Sequence, residues 1–231
     1  MDSIRVTDQF NFYSYISQNN ISHISFDFWN TLAYSNPLFK SNRNDLIKNS
    51  LNNKVTNNEI DNCFKLVGNN YNSKMVSNNF IEPPFILFKK VFDHLGISQQ
   101  NQMVRLYLGI LDLFAEFAPI MSKKFDLFFF TTLKEMNISI SVTSNTAFIP
   151  GSSIKEFLST KGLVDFFDFF LFSDAIQHAK PSLYIFDLLF NKASLIEGKS
   201  NITKDMILHI GDDNTTDYLG SKSYGIKSIL V

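Results

Sequence analysis

Three short apolar segments of this chain each run directly into a cluster of polar side chains, and that repeated transition narrows the possible folds more than any other feature. Residues 21–28, Ile-Ser-His-Ile-Ser-Phe-Asp-Phe, alternate polar and apolar and carry Asp27 near their end. Ile138–Val142 is followed by Ser144 and Asn145, and Met206–Ile210 by Gly211, Asp212 and Asp213. Segments of this length and pattern read as strands. Helical spacings lie between them, over about 122–136, 152–161, 182–195 and 215–223, with further strands near 169–172 and 226–231. Alternating strands and helices predict an α/β domain with a mostly parallel sheet covered on both faces. Ligands of such sheets bind beyond the C-terminal strand ends. All three polar clusters fall there.

The pattern is interrupted after the first of these strands. Residues 38–118 show no strong strand and instead carry helical periodicities over about 41–52, 58–77, 84–95 and 101–117, separated by Asn-rich or proline breaks. Four helices with short links pack most simply as an antiparallel bundle. The expected organisation is therefore an α/β core of residues 1–37 and 119–231 with a helical insert at 38–118. A first helix is expected over 7–19, capped by Thr7, with Phe10, Tyr13 and Ile16 at helical spacing. The strand that ends at Val231 has no element trailing it and is expected to present an open edge or a pairing surface.

Composition excludes several classes of function. The 231 residues are 45% hydrophobic and 19% charged, which suits a globular chain and argues against disorder. The 25 phenylalanines include runs such as Phe128–Phe130, which read as core-facing segments. A formal net charge of −1 without a basic cluster argues against a nucleic-acid partner. Cys63 stands alone, which rules out a disulfide framework or thiolate zinc site within this sequence. The four histidines lack zinc-site spacing. Apolar runs reach about 6 residues, against the roughly 20 needed to span a bilayer. Asp2 and Arg5 lead into polar residues rather than a signal-like segment. The expectation is a reduced, cytoplasmic protein with no membrane partner; oligomeric state leaves no signature.

The strand-end residues themselves imply a chemistry. Carboxylates converging on one edge repel unless a cation neutralises them, and oxygen ligands suit Mg²⁺. Asp27, Asp212 and either Asp213 or Asp217 could form such a site. Lys180, ahead of Pro181 and a helix, offers charge to an anionic substrate or an attacking carboxylate. Ser144 and Asn145, with nearby backbone N–H groups, offer donors to phosphate oxygens.

In combination these segments resemble the haloacid dehalogenase superfamily. Ser25-Phe-Asp27-Phe-Trp29-Asn-Thr31-Leu32 is similar to its first motif, and Val142-Thr-Ser144-Asn145 to its second. Lys180-Pro181-Ser-Leu-Tyr-Ile-Phe186 resembles the third, and His209-Ile-Gly211-Asp212-Asp213-Asn-Thr-Thr-Asp217 the fourth. The resemblance implies a Rossmann-like core with a helical cap inserted after the first motif. It implies Asp27 as nucleophile, Lys180 stabilising it, and Thr31, Ser144 and Asn145 at the phosphoryl group. It further implies Mg²⁺ held by Asp27, the Trp29 carbonyl, Asp212 and Asp217. The reaction implied is hydrolysis of a small phosphorylated molecule through an aspartyl-phosphate.

One position departs from that pattern. Phosphatases of the superfamily place a second Asp, the general acid and base, where this chain has Trp29. An indole cannot protonate a leaving group, and a positioned acid normally contributes about 10²–10⁴ in rate. A substrate that leaves without a proton, such as an acyl phosphate, removes the need for it. The alternatives are a metal- and phospho-ligand-binding member with little turnover, and a 2-haloacid dehalogenase. The resemblance places an aromatic residue at this position in dehalogenases, but Asp212 stands where they carry Ser; Asn214 and Asp217 match them. Trp29 is expected as a pocket wall, Asp213 as a turn cap, and Arg105, in the last insert helix, as a candidate substrate contact.

Overall fold

The computed structural model describes residues 11–231, so the expected Thr7 cap and Phe10 lie outside the described residues. The helix α1 spans Phe12–Gln18 and is capped by Asn11, whose side chain accepts from Ser14 N. The core strands are β1 (His23–Phe26), β4 (Ser139–Ser144), β5 (Phe169–Phe172), β6 (Ile207–Gly211) and β7 (Lys227–Leu230). Among the described residues they form one sheet in the order β5-β4-β1-β6-β7. Every pairing is parallel, with His23 opposite both Ser139 and Ile207. β7 is an end strand of that sheet, the place expected for the segment that reaches Val231.

Strand alternation divides this sheet into two unlike faces. Ile24, Phe26, Ile140, Val142, Leu208 and Ile210 share one core with residues of α1, α6 (Leu127–Glu135) and α7 (Gly151–Thr160). On the other face, Leu171 and Ile207 pack with α9 (Leu183–Ser194), and α10 (Gly220–Tyr224) touches α9. Helices cover both faces, so the core is a three-layer α/β structure. A parallel sheet buried on both sides usually reads as unbroken hydrophobic runs. Here the second face also carries a buried polar ladder. His23 bonds Ser139 Oγ and Ser141 Oγ, each at 2.8 Å, while Ser25 donates to Thr143 at 2.8 Å and meets His209 Nδ1 at 3.1 Å. Satisfying these groups with one another removes the penalty for burying them.

Residues 37–116 hold α2 (Pro37–Ser50), α3 (Asn57–Asn78), α4 (Pro84–His94) and α5 (Gln100–Glu116). Their starts follow the sequence: Asn36 caps α2 ahead of Pro37, and Thr56 with Glu59 forms a reciprocal capping box on α3. Ile47, Ile60, Phe88, Phe92 and Ile110 build a separate apolar core between them. The chain enters and leaves this region through two strands that escape periodicity because each has two residues, β2 (Ala33–Tyr34) and β3 (Ile120–Met121). They pair antiparallel, and Asn36 Nδ2 donates to the Ala118 carbonyl alongside.

Two expected helices differ in detail. α6 begins at Leu127 rather than near 122, because Asp126 accepts from Phe129 N and fixes the start there. The helix expected over 215–223 is a π-helical turn, Asn214–Leu219, followed by α10. Asp213 caps that turn as expected, accepting from Thr215 N and Thr216 N at 2.8 and 2.7 Å. The short helix α8 (Ser173–Ile176) follows β5 directly.

Burial pushes the His23 imidazole down from 6.5 to about 3, with Asp168 opposing. The unfolded chain therefore takes up a proton below pH 6.5 that the folded chain refuses until about pH 3. Stability is complete above that window and falls as pH drops through it, by about 1.4 kcal/mol per pH unit from this group. Urea unfolding at pH 7.5, 6 and 5 should show a shallower acid-side loss in His23→Gln than in the native chain; equal slopes would refute this role for His23.

Candidate active site

The cleft lies beyond the C-terminal ends of β1, β4 and β6, as the switch-point rule requires. Asp27 continues β1, its backbone N–H donating to the Ile210 carbonyl at 2.8 Å. Its carboxylate is buried and accepts two bonds on Oδ1, from Ser144 Oγ at 2.9 Å and Lys180 Nζ at 2.7 Å. Lys180 is 1% exposed and also donates to Asp217 Oδ1 at 2.5 Å. Asp217 is equally enclosed: Oδ1 meets His209 Nε2 at 3.0 Å, and Oδ2 accepts from Asp213 N at 3.0 Å. Gly211 is required for this approach, because a Cβ there would run into the Asp217 carboxylate.

One buried ammonium thus serves two buried carboxylates. Burial pushes Asp27 up to about 7, against the pull of Lys180 and with the help of the Asp217 charge. Burial also works to raise Asp217, but Lys180 and His209 outweigh it and hold this carboxyl well below the usual range. Lys180 is penalised by burial, yet the two carboxylates raise it above its ordinary value. Asp212 sits at the exposed rim, where Asn30 Nδ2 donates to it at 3.2 Å. Asn30 itself adopts φ 57°, a left-handed backbone that Asn tolerates.

The donor set fits a hard divalent cation. Asp27, Asp212 and Asp217 each offer an oxygen, all within 4.8 Å of one another. One lysine leaves that cluster short of positive charge. Asp217 already accepts three bonds, whereas the bond recorded on Asp212 comes from Asn30. Thr31 Oγ1, four residues after Asp27, is buried with no hydrogen-bond partner, a donor left unused within the chain.

Asn145, expected at the phosphoryl group, lines the cavity and also supports Lys180. Its amide brackets the Lys180 peptide, donating to the carbonyl and accepting from the N–H, both at 2.8 Å. The side chain fixes where Lys180 starts its reach to Asp27. Trp29 meets Phe28 and Phe114 edge-on at 5.0 and 6.3 Å and lines the cleft as a wall.

Above these groups is a cavity of about 530 Å³. Its other wall comes from the four-helix region and includes Arg43, Phe64, Met75 and Phe88. Phe148, from the loop after β4, inserts there with ring centroids 5.0 Å from Phe64 and 5.3 Å from Phe88. Tyr71 Oη donates to the Thr146 carbonyl at 3.2 Å, and Asn79 Oδ1 accepts from Ala179 N at 2.8 Å, one residue before Lys180. Arg105 does not reach the cavity: it is exposed and bonds the Asn101 carbonyl within its own helix. Arg43 was not legible as a cavity residue, since its sequence neighbours are ordinary helix-surface residues.

The sequence model of haloacid dehalogenase-like hydrolases matches residues 24–231. The chain belongs to that family. Its fold is similar to magnesium-bound YfnB of Bacillus subtilis, with TM-score 0.68, 15% identity and coverage of 91% of this chain and 88% of that one. It is similar also to a HAD phosphatase from Thermococcus onnurineus, with TM-score 0.63, 16% identity and coverage of 91% and 86%. Over 74 residues it is 38% identical to the Rhythmically expressed gene 2 protein of Drosophila melanogaster, a match spanning 32% of this chain and 27% of that protein. Among the described residues no helix is long and apolar enough to cross a membrane.

Lys180→Met would leave two buried carboxylates without their cation. In metal-free buffer, urea unfolding should show a loss of about 3–5 kcal/mol; a loss below about 1 kcal/mol, the size of an exposed pair, would contradict the buried arrangement.

Proposed function

We propose that this chain is a Mg²⁺-dependent, phosphatase-like hydrolase of a small phosphorylated molecule, with Asp27 as nucleophile. The observation that carries the reading is the convergence of Lys180 and Ser144 on Oδ1 of Asp27. Two donors fix the orientation of the carboxylate. Lys180 opposes the burial that raises this carboxyl and offsets charge on the transferring oxygens. Asp27 attacks phosphorus, the bond to the leaving oxygen breaks, and an aspartyl-phosphate forms. Water then releases phosphate and restores the carboxylate. Splitting the displacement into two steps is the general advantage of covalent catalysis.

The unpaired Thr31 hydroxyl is the donor offered to the phosphoryl oxygens, and Ser144 serves them by fixing the Asp27 carboxylate. Asn145 acts by holding the Lys180 backbone. Asp27, Asp212 and the Trp29 carbonyl would hold Mg²⁺, with Asp217 adding negative charge behind them while fixing Lys180. The ion supplies electrostatic stabilisation to the phosphoryl oxygens when bound. Residues 38–118 act as the cap, which encloses the substrate and excludes water through the Phe148, Tyr71 and Asn79 contacts. A cytoplasmic setting fits the lone Cys63 and the balanced charge.

A second reading, ligand binding with little turnover, is favoured by Trp29. The carboxylates lining the cavity are Asp27, Asp212, Asp213 and Asp217, all on the core, so no described acid from the four-helix region replaces the missing one. The two readings separate by assay. Phosphate release from acyl phosphates and phosphomonoesters should require Mg²⁺ and fall to background in Asp27→Asn. Undiminished release by that variant would remove Asp27 as nucleophile; bound phosphate without release by the native chain would establish the binder.

A further inference from the structure

The wall opposite Asp27 bears on which phosphate the cavity accepts. Phe39, Phe64, Met75, Val76, Phe88 and Phe148 line it, an apolar and largely aromatic surface. Its cation, Arg43, is already engaged. The guanidinium lies 3.7 Å from the Phe64 ring centroid and donates to Asn44 at 2.7 Å and Asp61 at 3.2 Å. Asn72 is the other polar side chain that these helices give the wall, so a sugar or polyol would lose its water against the surface and find few partners in exchange. An aromatic body would be well matched. On the leaving-group side the residue is Trp29, whose indole N–H can donate a hydrogen bond but cannot protonate a leaving group.

These two observations, independent of each other, point the same way. Resting on the reading of the cleft as a phosphatase site, we propose that the substrate is an acyl phosphate with an aromatic body. Attack by an Asp27 oxygen forms the new P–O bond as the bond between phosphorus and the acyl oxygen breaks. The electron pair leaves on a carboxylate, which needs no proton. In the second step water attacks phosphorus, the electron pair of the P–O bond returns to Asp27, and one proton of the water passes to a phosphoryl oxygen while the other stays on the attacking oxygen. The products are an aromatic carboxylate and dihydrogen phosphate, which releases a proton to solvent at neutral pH, with Asp27 regenerated.

Four compounds separate the two halves of the proposal: benzoyl phosphate, acetyl phosphate, benzyl phosphate and glycerol 3-phosphate. Each is assayed with the full native chain and Mg²⁺, with Asp27→Asn as background. Benzoyl phosphate should give the highest kcat/KM. Benzyl phosphate, with the same ring on a poor leaving group, should be slower by at least the roughly 10²–10⁴-fold that a positioned acid supplies. Acetyl phosphate, with the leaving chemistry but no ring, should be lower by about 10- to 100-fold. Trp29 is the only tryptophan in the sequence, so its emission reports binding without turnover. Phenylphosphonate should bind more tightly than methylphosphonate by a similar 10- to 100-fold.

Comparable kcat/KM for all four compounds, each lost in Asp27→Asn, would overturn this inference and leave the phosphatase reading standing. Equal values for acetyl and benzoyl phosphate, or equal affinity for the two phosphonates, would overturn the aromatic body. Release from none of them above background, with neither phosphonate bound, would overturn the inference together with the reading beneath it.

Discussion

The site is organised around one ammonium group enclosed by two carboxylates. Lys180 has almost no contact with solvent and reaches both Asp27 and Asp217. Buried charges are tolerated when paired and fully hydrogen-bonded. The neighbourhood meets that condition at each member: Ser144 on Asp27, His209 and the Asp213 N–H on Asp217, and Asn145 on the Lys180 backbone. Gly211 is the backbone concession that lets Asp217 approach. The segments that follow β1, β4 and β6 meet around this lysine, which ties the α/β topology to the chemistry.

Behind it, the polar face of the sheet continues the same network. His209 joins Asp217 to Ser25, and Ser25 reaches Thr143. The floor of the site is therefore a chain of directional bonds rather than an adaptable hydrocarbon layer, and directional networks fix side-chain positions more sharply than apolar packing does. A carboxylate that must meet phosphorus in line benefits from such fixing. The opposite wall has the contrary character. Phenylalanines and methionine from α2, α3 and α4 close over the cleft, so the two sides divide the task between charge and apolar fit.

Much of this was legible in the sequence because it is local. Asp27, Ser144, Asp212 and Lys180 each follow a strand or precede a helix at short spacing, and the parallel-sheet rule brings such positions to one edge. The periodicity over about 58–77 falls within one residue of α3 at each end, where Thr56 with Glu59 and the left-handed Asn79 close the helix. What escaped was long-range or too short to carry a period. β2 and β3 have two residues each. The Asn145 clamp joins residues 35 apart and adds a support for Lys180 that local spacing does not reveal. Arg43 and Phe64 reach the cavity only through the packing angle of the helices, which helical periodicity does not encode. Trp29 was visible as a departure, but its contacts with Phe28 and Phe114 are what make it a wall.

The central claim is that Asp27 is the group that carries phosphate during turnover. The direct measurement is to quench the native chain in acid during benzoyl phosphate hydrolysis, reduce with borohydride, and locate the modified residue by peptide mass spectrometry. Reduction of an aspartyl-phosphate should convert Asp27, and no other acidic residue, to homoserine. Turnover that leaves Asp27 unmodified while another carboxylate is converted would contradict the account.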